Sequence, residues 1–191
     1  VPYLVNPILM FRLLFIILAL CTALPIFSQG AFLAPGLEIS EIKGTVSLGA
    51  GAGGGVMLRR WLVGAYGIHT SRAGRVGDSG ILHDLDLTFG GLWLGYSQPA
   101  SDYLIVNVAC KGAFGNARQT GVGETDRQTD RLWLLTPEAG VEVVLGNHVR
   151  LGLTAGYRIA GDVQLSAFAA QDLRTLVNSL TLKIGKFSRI R

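Results

Sequence analysis

The chain is short of charge. Aspartate, glutamate, lysine and arginine make up 16% of its 191 residues, against about 25% in ordinary soluble domains. With 49% hydrophobic residues, it cannot be an intrinsically disordered chain, which needs low hydrophobicity and high charge. The net charge of +4 is spread along the sequence. It lacks the clustered basic residues and interleaved aromatics of a nucleic-acid surface, so no nucleic-acid partner is expected. Three scattered histidines (His69, His83, His148) make no metal site, and no metal or cofactor is expected. Cysteine is nearly absent too. Cys21 falls in a leader-like segment, and Cys110, left alone, cannot form an intrachain disulfide and reads as a small apolar residue. Nor is there an apolar run of the ~20 residues that a spanning helix needs; the stretch from Leu13 to Leu24 falls short.

That stretch belongs to MFRLLFIILALCTALPIFSQG, which has one basic residue (Arg12), an apolar run, and small or polar residues at Ser28-Gln29-Gly30. This is the layout of a secretory signal peptide. The expected start is Met10, with Val1 to Leu9 an upstream extension. The division is therefore residues 1–29 as extension and cleaved signal, and residues 30–191 as the exported domain. A stop-transfer helix is the rival reading and would supply one anchor at most. Lipoprotein processing at Cys21 is disfavoured because Leu20, just before it, is not small.

What the chain has in abundance is glycine, 26 residues. In TVSLGAGAGGGVML, residues 45–58, Gly49-x-Gly51-x-x-Gly54 matches a dinucleotide-binding fingerprint. That loop works by opening a helix whose N-terminus holds the pyrophosphate. Here Arg59-Arg60 leads into another alternating segment, so the match is rejected. Read with period two, Val46, Leu48, Ala50, Ala52, Gly54, Val56 and Leu58 form one face, and Thr45, Ser47, Gly49, Gly51, Gly53 and Gly55 the other.

The same alternation recurs down the chain. Leu104, Val106, Val108, Cys110, Gly112 and Phe114 oppose Asn107, Ala109, Lys111 and Gly115. Val149, Leu151, Leu153, Ala155, Tyr157 and Ile159 oppose Arg150, Gly152, Thr154, Gly156 and Arg158. These are strands. Strands are predicted near 44–58, 61–71, 82–97, 103–116, 131–145, 148–160 and 176–187. An eighth, weaker one over Leu37 to Ile42 closes an even count. Short connections (Arg59-Arg60, Gln98 to Asp102, Gly146 to His148) alternate with long polar ones (Ser71 to Leu82, Ala117 to Asp130, Gly161 to Thr175). An export signal, apolar faces long enough to cross a tilted bilayer and this short–long rhythm favour an all-β, antiparallel, up-and-down transmembrane β-barrel over a soluble sandwich.

Several side-chain expectations follow. The interior should hold Asp84, Asp86, Lys111, Glu138, Glu142, Arg150, Arg158 and Lys183, four acids against four bases. Buried charges must pair, so these should plug a lumen only wide enough for side chains. Gly49, Gly51, Gly53 and Gly55 should lie beside bulky inward neighbours. The apolar phase shifts by one between Leu85-Leu87-Phe89 and Leu92-Leu94-Tyr96, which predicts a bulge at Gly90-Gly91. Trp61, Tyr96, Tyr103 and Phe187 are placed in an interfacial girdle. The enzymatic temptation is His69-Thr70-Ser71. Outer-membrane lipid A deacylases carry such a His-x-Ser pair with an acidic partner, and Asp84 or His83 could lie nearby across the loop, but this parity is expected to point inward, away from lipid.

LHDLDLTFGGLWLGY, LLTPEAGVEVVLGNHVRLGLTAGYRIAG and LVNSLTLKIGKF resemble the small, eight-stranded outer-membrane β-barrel domains of Gram-negative bacteria, over roughly residues 36–187. Barrels of that kind commonly end on an aromatic residue read by the assembly machinery. Here Phe187 is followed by Ser188-Arg189-Ile190-Arg191. The resemblance implies a monomer of the cell outer membrane, in contact with lipid and lipopolysaccharide and folded by the barrel-assembly machinery. It would act structurally or bind an extracellular ligand through loops such as Ala117 to Asp130, with Arg118, Glu124, Asp126, Arg127 and Asp130. The alternatives are a lipid-modifying enzyme and a periplasmic lipid-binding β-protein.

Overall fold

The computed structural model describes residues 30–42, 45–76, 82–121, 127–161 and 170–187. Eight strands run β1 Gly30–Ile42, β2 Thr45–Leu58, β3 Trp61–Val76, β4 Leu82–Pro99, β5 Leu104–Gly121, β6 Arg127–Val144, β7 Val149–Gly161 and β8 Thr175–Gly185. One 3-10 turn, Ala170–Leu173, precedes β8. Every strand pairs antiparallel with its sequence neighbours, and β8 returns to β1 to close the barrel. The expected all-β class and strand number are what the chain adopts.

The registers fix the barrel's shape. One circuit of cross-strand partners runs Gly30, Met57, Leu62, Gly95, Ala109, Glu138, Gly156, Val177 and ends on Ser40, ten residues further along β1. That stagger forces the strands to tilt by roughly 40°. On β5, the outward apolar face extends from Leu104 to Phe114. At about 3.4 Å per residue and this tilt it covers about 25 Å of height, the thickness of a lipid-facing apolar band. Leu33, Leu92, Val108, Leu153 and Leu180 all stand exposed on this exterior, while Ser47, Asn107, Lys111, Glu138 and Lys183 are buried inside. The polarity is that of a barrel solvated by hydrocarbon.

Strand β1 starts at Gly30 and not at Leu37. Its first half puts Phe32 and Ala34 inside and Leu33 and Pro35 outside. With apolar residues on both faces, period two disappears from the sequence. At the other end the strands run longer than expected: β3 reaches Val76, β5 reaches Gly121, and β6 starts at Arg127. The alternation signal ends where the outer face leaves lipid and its residues become polar, but backbone pairing continues past it. Much of the expected long loops is therefore ladder.

The phase change in β4 has a cause other than a bulge. Its pairing with β3 and β5 is continuous through Gly90 and Gly91. The register shift lies instead in β3, between Arg72 and Arg75. Leu85, Leu87 and Phe89 are buried inside the barrel, with Asp86 and Thr88 on the outer wall; below Gly90, Leu92 and Leu94 face outward. The apolar side switches from inside to outside because the outer solvent switches from water to hydrocarbon. This corrects two expectations together, the bulge at Gly90-Gly91 and the interior placement of Asp86. Asp84 pairs in register with Thr120, and its side chain lies outside the described residues.

Candidate functional site

The lumen is filled in three layers. Toward the loop end, Ile42, Leu85, Leu87, Phe89, Ala113, Ala117, Leu132, Leu134, Ala160 and Leu173 form an apolar plug, Leu173 being contributed by the 3-10 turn. Toward the short-turn end, Phe32, Ala34, Met57, Leu62 and Trp93 form a second cluster, with Phe187 packed against it. Between and below them lie the charges.

Among the described residues, three carboxylates (Glu38, Glu138, Glu142) and four cations (Lys111, Arg150, Arg158, Lys183) are buried there. Lys111 pairs with Glu138 at 2.9 Å. Arg158 Nη2 pairs with Glu38, and Lys183 Nζ with Glu142. Glu142 also accepts a hydrogen bond from Asn107 Nδ2 at 3.1 Å and faces Arg150 at 4.0 Å. Asp86, expected inside, lies on the outer wall, while Glu38 holds an interior place. Its signal, the alternation of Leu37 and Ile39 against Glu38 and Ser40, is legible in the sequence.

Cations outnumber carboxylates, and aromatic rings take up the remainder. Arg150 lies 4.0 Å from the Phe187 ring centroid, Lys183 4.7 Å from Trp93, Lys111 5.0 Å from Trp93, and Arg158 5.1 Å from Phe89. A ring face attracts a cation more strongly once both are desolvated. Phe187 is therefore not a girdle residue: it points inward, stacked on Phe32 at 6.2 Å beneath Arg150. Trp61 and Tyr96, packed edge to face at 5.2 Å, stand on the outer wall at the short-turn end.

The inward glycines of β2 make room for this packing. Gly51, Gly53 and Gly55 face Ile68, Tyr66 and Gly64 on β3 and Gly36, Ala34 and Phe32 on β1. A methyl group at Gly51 would come within 2.8 Å of Ile68 Cγ1, and one at Gly53 within 3.1 Å of Tyr66 Cβ. At Gly49 the obstacle is the Thr70 hydroxyl, 2.5 Å away. The space that remains beside them is a cavity of about 40 Å³ lined by Gly36, Gly51, Gly53, Tyr66, Trp93 and Lys111. At ~10–15 Å³ of such volume per water, that is room for a few waters and not for an organic ligand. Among the described residues no cluster of histidine, cysteine or acidic side chains could hold a metal ion.

His69 and Ser71 are on the outer wall, contrary to the expectation that their parity points inward. On β3 the inward set is Leu62, Gly64, Tyr66, Ile68 and Thr70, which leaves His69 and Ser71 exposed on the other face. Across the ladder His69 faces Thr88 and Ser71 faces Asp86, and His69 Nδ1 is hydrogen-bonded to Thr88 Oγ1 at 2.9 Å. The lumen and this outward cluster each gather polar side chains.

No protein-family model and no curated protein sequence matches the chain. Solved structures do match. Neisserial surface protein A superposes with a TM-score of 0.59 at 11% identity, covering 84% of this chain and 98% of the other. The N-terminal β-barrel domain of Pseudomonas aeruginosa OprF gives 0.54 at 9% identity, covering 83% and 98%. The chain has the fold of the eight-stranded outer-membrane β-barrels. Ail, the attachment invasion locus protein of Yersinia pestis, solved in complex with the heparin analogue sucrose octasulfate, gives 0.51 at 14% identity over 82% and 97%. At these identities the likeness speaks for the architecture of the barrel alone, and the chemistry has to be argued from its own residues.

Proposed function

We propose that the protein is a small outer-membrane β-barrel with a closed lumen that works through its outer surface and loop-side end, as a structural or binding element, and does not conduct or catalyse. The observation that supports this reading is the filling of the interior among the described residues, by an apolar plug, a layer of paired charges and an aromatic cluster. The outer membrane is its site, since the apolar belt needs hydrocarbon. Lipid and lipopolysaccharide are its surroundings, and the barrel-assembly machinery its folding partner. It acts as a monomer, and residues 1–29 serve as extension and cleaved signal. Of the expected loop contacts, Arg118 and Asp130 lie on the strand extensions, while Glu124 and Asp126 fall outside the described residues. Purified protein in planar bilayers is expected to give no steady conductance. A stable open channel would overturn the closed-lumen reading, and recovery as a soluble periplasmic protein would overturn the barrel reading as a whole.

One observation favours a second reading, a lipid-modifying enzyme. His69, Ser71 and Asp86 share an exposed outer face near the boundary of the apolar belt, where a lipid ester would be reached. In the tautomer whose Nδ1–H donates to Thr88 Oγ1, Nε2 carries the lone pair that a base for the Ser71 hydroxyl needs. Under that reading, lipid A mass spectra from cells carrying His69→Ala gain the acyl chain that the wild type removes. Identical spectra retire it.

A further inference from the structure

Above the apolar belt, the outer wall of β5 and β6 carries a patch unlike the rest of the exterior. Cross-strand partners stack there in three rows: Phe114 with Trp133, then Asn116 with Arg131, then Arg118 with Thr129. All six residues are on the outward face. Phe114 is 79% exposed, the most exposed large hydrophobic side chain among the described residues. Trp133 lies flat over Gly161 of β7, where a side chain would collide with the indole. The two aromatics mark the edge of the hydrocarbon, as interfacial rings do, and the two arginines sit immediately beyond it.

We propose that this patch binds the phosphate-bearing headgroup of an outer-leaflet glycolipid, with Arg118 and Arg131 holding a phosphate and Phe114 and Trp133 carrying the acyl chains beneath. Arg118 and Arg131 are diagonal neighbours across the ladder, about 7–8 Å apart at the backbone, a span two long guanidinium side chains close onto one tetrahedral anion. Arginine is suited to this because its planar fork donates two hydrogen bonds to a phosphate at once. Asn116 and Thr129, the neutral partners in the same two rows, supply donors and acceptors for sugar hydroxyls. Among the described side chains, acid is sparse around them. Asp86 on β4 faces Arg118, and the Asp130 carboxylate accepts a hydrogen bond from the backbone N–H of Arg131 at 2.8 Å. Among the described outward side chains, two guanidiniums stand against one carboxylate, which leaves that set positive.

The proposal rests on the barrel lying in the outer membrane with its loop end outward, and its test separates the two claims. Wild-type barrel and an Arg118→Gln/Arg131→Gln variant, both checked for folded migration on gels without heating, are exchanged into phosphatidylcholine nanodiscs and titrated with bisphosphorylated lipid A, with bound lipid counted by native mass spectrometry. The wild type is expected to retain one lipid A, and the double variant to bind it at least ~10-fold more weakly, because two charge-assisted bidentate contacts are lost. Arg118→Lys/Arg131→Lys, which keeps the charge without the fork, is expected to fall between. Equal retention by wild type and the glutamine variant overturns the proposal. So does equal affinity for phosphatidylglycerol, or full displacement by excess inorganic phosphate, which would mark a bare anion site. Failure of the wild type to insert at all counts against the membrane reading itself.

Discussion

Replacing Glu38 with leucine is expected to cost the folded barrel about 3–5 kcal/mol, and replacing Arg158 with leucine as well is expected to recover most of it. Arg158 is 1% exposed; among the described residues its carboxylate partner is Glu38, and its Nε and Nη1 atoms make no hydrogen bond there. With Glu38 gone, the guanidinium keeps only the Phe89 ring at 5.1 Å to offset its desolvation. Removing both charges removes the penalty. The size of the effect decides the nature of the lumen: were it water-filled, an ion pair there would be worth only ~0–1 kcal/mol, and neither single variant would matter. Urea unfolding in lipid vesicles, followed by the shift between folded and unfolded gel bands, measures Glu38→Leu, Arg158→Leu and the double variant. Single variants within 1 kcal/mol of wild type, the limit set by exposed pairs, would contradict a closed interior.

The second large effect concerns the outer wall of β4. Leu94→Arg should destabilise by about 2–4 kcal/mol, because it places a charge in the middle of the apolar belt. Thr88→Arg, six positions away in sequence on the same outward face, should cost no more than ~1 kcal/mol, as at a lipid interface. A bulge at Gly90-Gly91 would instead have turned Thr88 inward, and an arginine there would have to be forced into a filled core. The same urea titration distinguishes the two, since comparable losses for both variants would restore the bulge.

Most of the fold could be read from the sequence because the lipid belt imposes a clean period of two. Lys111, Glu138, Glu142, Arg150, Arg158 and Lys183 could be assigned to one face for the same reason, each lying between residues that must contact hydrocarbon. The failures share a cause. Where the outer solvent becomes water, apolar residues move inside, so a rule that sends them outward inverts β4 above Gly90 and misplaces Asp86. On β3 the odd positions carry Trp61, Val63 and Ala65 outward, but the even positions carry Leu62, Tyr66 and Ile68 inward. With apolar residues on both faces, the orientation of His69 and Ser71 could not be deduced locally; only pairing with β2 and β4 settles it. Phe187 was assigned to the exterior because aromatic residues near strand ends usually are. Arg150, whose carboxylate partner stands 4.0 Å away, lies over the Phe187 ring and explains its inward place.

The switch in β4 also acts as a depth gauge. A barrel sinking by one pair of residues would drag Thr88 and Asp86 into hydrocarbon, and one rising by the same amount would lift Leu92 into the headgroups. Both displacements are resisted, so the strand that lines the lumen also sets how far the molecule stands above the membrane and how much of β3 to β6 it holds out to the surroundings.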